Sequence, residues 1–195
     1  MPTSTKQQEF SRFTVNQDDT ALLIIDIQER LAPVIYEQEQ VIANTVVLAK
    51  TAAEMNLPVI VTEQYPRGLG STVPEISTVL AENLPEAQNF AKMEFSACTP
   101  EVCAALAATG RRKVIITGME THVCVFQTTR QLLSSGYEVF IARDAVSSRT
   151  AVNRENGLQL MAAMGAVISN TETLVFDLLE VSGTPLFKKI SKLIK

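Results

Sequence analysis

The sequence predicts a three-layer α/β fold: a doubly wound, mostly parallel sheet of about six strands with helices on both faces. Three observations predict it. Short runs recur that are apolar on both faces, as strands covered on both sides require. Stretches of helical period alternate with these runs. Capping and stop residues punctuate the helical stretches where helices should begin and end.

The strands come in order. "TALLIIDIQ" (Thr20–Gln28) is almost uninterrupted Leu and Ile. "PVIVTEQ" (Pro58–Gln64), "NFAKMEF" (Asn89–Phe95), "KVIITG" (Lys113–Gly118), "YEVFIARD" (Tyr137–Asp144) and "GAVISN" (Gly165–Asn170) follow. Between them, Glu39–Met55 carries a helical period and ends shortly before Pro58. Thr99–Gly110 has a Thr cap, Pro in the first turn and Gly at its end. Val125–Gly136 and Asn153–Gly165 also close on Gly. Right-handed crossovers then place helices on both faces.

The 195 residues, 46% of them hydrophobic, suffice for one domain with a full core. That domain is expected over residues 20–184, after a flexible arm at 1–19 and before an amphipathic helix at 185–195. In "PLFKKISKLIK" apolar residues recur at helical spacing with lysines opposite. Net charge is −4 with a pI near 5.1, which argues against a phosphate-backbone binder. No apolar run approaches the ~20 residues of a membrane span. Three cysteines in no metal-binding spacing suggest a reducing compartment. A cytoplasmic location is therefore expected. Lys6 and Arg12 among Ser and Thr leave mitochondrial association as the alternative, and Glu9 counts against it.

The ligand site of such a sheet lies beyond its C-terminal strand ends. "GMETHVCVFQ" (Gly118–Gln127) sits there, with the only histidine of the chain, His122, two residues before Cys124. On a helix that spacing turns the two side chains about 200° apart, so a Cys–His pair has no easy geometry. One His without companions also makes no metal site. His122 reads as a polar residue of the turn or the pocket wall. Cys124 follows a buried strand and opens a helix, where the dipole and free N–H groups favour a thiolate. A small buried residue at a tight junction is the plain alternative. Cys98 and Cys103 read as small core residues of one helix, five apart and on different faces.

Asp26 closes a run of four apolar residues, which is costly unless it lies at the strand mouth or is paired. Lys92 projects at another strand end. Beside Asp26 and Cys124 it would hold the carboxylate ionised and lower the thiol pKa. Gln28, Gln64 and Tyr65 stand at strand ends where they could orient a substrate. Asp144, Ser147, Ser148 and Arg149 read as turn and capping residues.

An Asp ending the first strand ("IIDIQ"), a Lys after the third ("AKMEFS") and "TGMETHVCVFQTTRQLLSSGYEVFIARDAVSS" resemble the isochorismatase-like cysteine hydrolases over roughly Thr20 to Phe176. "TEQYPRGLGSTVPE" and "LFKKISKLIK" are similar to the subgroup named isochorismatase domain-containing proteins. The resemblance implies Asp26 as general base, Lys92 as its electrostatic partner and Cys124 as nucleophile. It implies a cis peptide at Met119–Glu120, with the backbone N–H groups of Glu120 and Cys124 as an oxyanion hole. It also implies a homo-oligomer, dimer or tetramer, acting on a small molecule. The metal ligands of the superfamily's nicotinamidases are replaced here: Gln64 stands where a ligand would be needed, so no metal and no cofactor are expected. The function expected is hydrolysis of a small amide, imide or ester through a thioester. The alternative is a catalytically silent binding or scaffold protein on the same fold.

Overall fold

Leu22 and Ile24 point to one side of the sheet, and Ala21, Leu23 and Ile25 to the other. That alternation along β1 (Thr20–Ile25) creates two cores. In the computed structural model, which describes residues 10–194, the other strands are β2 (Val59–Gln64), β3 (Gln88–Lys92), β4 (Lys113–Met119), β5 (Glu138–Ser147) and β6 (Val167–Ser169). Among the described residues they form one parallel sheet in the order β3-β2-β1-β4-β5-β6.

The helices are α1 (Gln38–Met55), α2 (Pro66–Leu69), α3 (Pro74–Asn83), α4 (Pro100–Ala108), α5 (Phe126–Ser134), α6 (Ala151–Ala163), α7 (Thr171–Leu179) and α8 (Pro185–Ile190). Leu48 and Ala52 of α1, Ile76 of α3 and Val175 of α7 close one core. Val102 and Leu106 of α4, Leu132 of α5 and Met161 of α6 close the other. Each fully buried Leu or Ile contributes about 1.5–3 kcal/mol, so β1, covered on both faces, anchors the molecule. The doubly wound architecture expected from the sequence is the one observed.

Local signals set the boundaries. The Thr99 hydroxyl accepts from Val102 N at the start of α4, Thr150 from Asn153 N at α6, and Asn170 from Thr173 N at α7. Helices α2, α3 and α7 were not expected. Pro66 and Pro74 occupy the first turns of α2 and α3, where a missing N–H costs nothing, so these prolines open helices in a stretch that reads as loop.

Residues 1–9 of the expected arm lie outside the described residues. The rest is tied down: Val15 is fully buried, its N–H donates to Asp177, and Lys113 Nζ donates to the carbonyls of Ser11 and Thr14. At the other end, α8 covers six residues, capped by Thr184 and anchored by buried Ile190. Lys189 Nζ reaches Glu54 at 2.9 Å. The tail helix therefore docks on its own domain. Among the described residues no helix is long and apolar enough to cross a membrane.

Gly118, at φ 149°, pairs with Ile25 across the central strands. A Cβ there would lie 2.4 Å from the Ile25 carbonyl oxygen. Gly118→Ala is expected to lower the unfolding free energy by about 2 kcal/mol or more. Urea unfolding checks this, and an unchanged midpoint would mean that β1 and β4 separate at no cost.

Candidate active site

Strand order reverses between β1 and β4, and their C-terminal ends open the crevice expected of such a sheet. Asp26 is the first residue past β1, turned into a left-handed conformation (φ 53°) with its N–H bonded to Thr62 O at 3.0 Å. Lys92 is the last residue of β3. Cys124 lies in a single π-helical turn, Thr121–Val125, between β4 and α5, so the thiol stands one turn before the helix it was expected to open. The Met119–Glu120 peptide entering this turn is cis. The Glu120 carbonyl accepts from Val123 N (3.1 Å) and Val125 N (3.2 Å). Gly157 of α6 lets that helix press on the turn: a Cβ there would sit 2.9 Å from Thr121 O.

These elements bring Asp26, Lys92 and Cys124 together. Lys92 Nζ lies 2.6 Å from Asp26 Oδ2, and both side chains are fully buried. The ammonium also faces Gln64 Oε1 at 2.9 Å and the carbonyls of Glu94 and Phe95, each at 3.1 Å. Thr62 donates to Asp26 Oδ1 at 2.8 Å. The Cys124 thiol lies beside the Asp26 carboxylate, and the Glu120 N–H faces the Cys124 sulfur.

Burial pushes the Asp26 carboxyl up from its ordinary value, against the opposing pull of Lys92, Thr62 and Cys124. Burial, and then the Asp26 charge, push the Cys124 thiol up to about 12, outweighing Lys92 and the Glu120 N–H. This corrects the expectation of a depressed thiol pKa. The lysine is spent on the carboxylate, and the carboxylate sits against the thiol. The resting site is an Asp–Lys ion pair beside a neutral thiol.

The remaining candidates divide by what they touch. Gln28 is fully buried, and its carboxamide is engaged by backbone: Nε2 donates to Gln64 O (3.1 Å) and Gly70 O (2.7 Å), and Oε1 accepts from Gln64 N (2.8 Å). Gln64 spends its side chain on Lys92 and on Met93 O. Tyr65 is exposed, with its ring against Gly68. His122 Nδ1 lies 3.0 Å from Ser148 Oγ and 3.2 Å from Glu120 Oε2, and its partners do not include Cys124. Glu120 Oε1 takes Arg149 Nε at 2.5 Å, while Oε2 is buried without an aligned hydrogen bond. Ser148 and Arg149 thus clamp the turn that carries Cys124 through side chains. Asp144 Oδ1 accepts from Thr171 N and Oγ1, fixing the start of α7.

Thr62 is the site residue that sequence reasoning missed. Its signal was a lone hydroxyl in the apolar run "VIVTE", one strand over from Asp26. Cys98 and Cys103 were expected in the core of one helix. Instead Cys98 precedes the α4 cap and is half-buried, and Cys103 is exposed.

The cleft that reaches Lys92 measures about 500 Å³ and is lined by Pro66, Met93, Glu94, Thr99 and Glu101 among others. Asp26 and Cys124 do not line it, and both are buried. Another groove, about 560 Å³, runs along α3 past Glu63 and Thr72 and does not touch the three residues. Among the described residues no group of three or more His, Cys, Asp or Glu could hold a metal ion.

Residues 20–173 match the isochorismatase domain model. The chain belongs to the isochorismatase family. It is 43% identical to the secreted isochorismatase effector Isc1 of Phytophthora sojae over 178 residues, 90% of this chain and 84% of that protein. It is 40% identical to isochorismatase domain-containing protein 1 of Danio rerio over 87% of this chain, and spans 59% of that relative's length. Among solved structures, the MAR1 ribonuclease of Caenorhabditis elegans superposes with a TM-score of 0.87 at 39% identity, covering 93% of this chain and 92% of that one. The family match spans every element that carries the Asp26–Lys92–Cys124 cluster.

Two expectations follow from this isochorismatase-family site. Lys92→Met leaves the Asp26 charge buried and is expected to cost about 3–5 kcal/mol of stability. Adding Asp26→Asn should recover part of that loss in a urea-unfolding cycle, and strict additivity would mean that the pair is not coupled. In the wild type, iodoacetamide is expected to label Cys103 first near neutral pH, with Cys124 labelled appreciably only as pH rises well into the alkaline range. Peptide mass spectrometry reads the order, and rapid labelling of Cys124 at pH 7 would contradict a neutral thiol.

Proposed function

We propose that the protein is a cysteine hydrolase acting on a small amide, imide or ester, with Asp26 as general base, Lys92 as its electrostatic partner and Cys124 as nucleophile. The observation that carries this reading is the position of the Asp26 carboxylate, beside the Cys124 thiol and 2.6 Å from the Lys92 ammonium. A base stands next to the thiol whose proton it must remove.

The thiol is neutral at rest, so its proton passes to Asp26 as the sulfur attacks the carbonyl carbon. Burial that raises the carboxyl pKa makes Asp26 a better base than an exposed aspartate. The new S–C bond converts the carbonyl oxygen into an oxyanion, stabilised by the backbone N–H groups of Glu120 and Cys124. Before attack, the Glu120 N–H faces the sulfur, within reach of an oxygen bound one atom further on. As the C–N or C–O bond breaks, Asp26 returns its proton to the leaving group. A water then attacks the thioester, giving its proton to Asp26 and releasing the acid. The thiol is restored.

Lys92 holds Asp26 ionised at the start of each turnover, ready to take the thiol proton. Gln64 Oε1 accepts from Lys92 at 2.9 Å, and Gln28 fixes Gln64. Both glutamines act through Lys92, which leaves Tyr65, exposed at the head of α2, as the side chain of the three free to meet a substrate. Exposed Tyr65, Met93 and Phe95 on the segments around Lys92 support a homo-oligomer that shields this mouth. Sedimentation velocity at the monomer mass would remove that part of the reading.

The name of the Caenorhabditis elegans neighbour raises a second reading, RNA cleavage. The net charge of −4 weighs against phosphate-backbone binding. RNA cleavage that falls with salt and persists in Cys124→Ala would favour it.

The experiment is turnover of a panel of small amides, imides and esters by wild type and variants. Cys124→Ala is expected to abolish activity with the fold intact by circular dichroism. Asp26→Asn should lower kcat by about 10²–10⁴-fold. The acid limb of kcat/KM should lie above the ordinary carboxylate range, because protonating Asp26 removes the base and burial raises its pKa. Full activity in Cys124→Ala would overturn the scheme. No turnover and no acyl-enzyme mass with any member would favour a silent binding protein.

A further inference from the structure

Two thiols outside the triad form a second sulfur site at the start of α4. Thr99 caps this helix through its hydroxyl, and its carbonyl accepts from Cys103 N at 2.9 Å. That geometry sets Cys98 just before the cap and Cys103 four residues into the helix. Side chains at these two positions pack against each other across a helix start. Usually both are apolar. Here both are thiols, near enough for Cys103 to raise the Cys98 pKa.

Their surroundings differ in a way that suits sequential chemistry. Cys103 is exposed and open to a small oxidant. Cys98 is half-buried, with its sulfur 3.8 Å from Thr128 O and its N–H on Ser96 Oγ at 3.1 Å. Ser96 in turn hydrogen-bonds Gln131 of α5. Cys98 thus ends the short segment whose earlier carbonyls, Glu94 and Phe95, accept from Lys92.

We propose that Cys98 and Cys103 are a reversible redox pair that a peroxide converts to an intramolecular disulfide. The Cys103 thiolate attacks the O–O bond, takes one oxygen to become a sulfenic acid, and releases water from hydrogen peroxide. The Cys98 thiolate attacks that sulfur and displaces hydroxide, which leaves as a second water. Two thiols and one peroxide give one disulfide and two waters. Each sulfur gives up one electron, and the peroxide takes two. An added dithiol reverses the step. Burial, and the neighbouring Cys103, push the Cys98 thiol up to about 12, so ring closure should quicken as pH rises. The pair does not depend on the hydrolase reading, because it includes no triad residue.

The test treats the full chain, as wild type and as Cys124→Ala, with hydrogen peroxide and reads intact and peptide masses. Both proteins are expected to lose about 2 Da, to yield a crosslinked Cys98–Cys103 peptide, and to regain both thiols in dithiothreitol. In Cys98→Ser the oxidised Cys103 should persist and be trapped by dimedone. In Cys103→Ser the loss should vanish. Three outcomes would overturn the proposal: both thiols staying alkylatable after peroxide, a crosslink that joins Cys103 of two chains instead, or a wild-type Cys103 that goes on to sulfinic acid without the loss of about 2 Da.

Discussion

An ammonium 2.6 Å from a carboxylate, with neither exposed, must be held from several sides, because stripping water from two charges costs more than their attraction alone returns. The molecule supplies those sides from three strands and a loop. Thr62 of β2 takes one carboxylate oxygen and Lys92 of β3 the other. Gln64 and the carbonyls of Glu94 and Phe95 take up the ammonium. Gln28 then fixes Gln64 and the Gly70 carbonyl. The path of the chain after β1, β2 and β3 is therefore a consequence of the pair. Altering any of these loops means leaving a buried charge without a partner, which is why glutamines with no freedom of their own stand around it.

The same pair sets the state of the cysteine. A lysine near a thiol usually lowers its pKa, but here the positive charge is balanced by a nearer carboxylate, and the thiol lies against that carboxylate. The net charge next to the sulfur is close to zero, so burial decides. A neutral thiol resists oxidation and stray electrophiles. Under the mechanism proposed above, it reacts when a carbonyl arrives in the correct place and the proton can pass to Asp26 in the same motion, so the site stays inert between encounters.

Much of this architecture is legible in the chain. β1 and β4 read directly because both faces are covered, which leaves no polar alternation to interpret. Asp26 and Lys92 read as site residues because a charge at the end of such a run must be paired. Helices α2 and α3 were hidden for a local reason: the Pro-rich stretch around Pro66 and Pro74 looks like loop, and whether a proline opens or breaks a helix depends on what packs behind it. The depression expected for the Cys124 pKa failed for a different reason. Sequence gives a thiol's neighbours along the chain, but burial depth and which partner holds the lysine are properties of the assembled sheet. Thr62 was missed on the same ground, since its bond to Asp26 crosses from β2 to β1.

The turn that carries Cys124 is set by backbone contact more than by side chains. Gly118 permits β4 to pass against the Ile25 carbonyl, and Gly157 permits α6 to press on Thr121 and His122. Between these two close approaches the chain has little room, and the π-helical turn accommodates five residues there. The side-chain clamp of Glu120 by Arg149, with His122 and Ser148 alongside, fixes the turn from its outer side. The sole histidine therefore belongs to the scaffold that aims the thiol. Its two-residue spacing from Cys124 turns it away from the sulfur and towards the clamp. A dyad would have needed the two side chains to meet, and His122 instead pairs with Ser148 and Glu120.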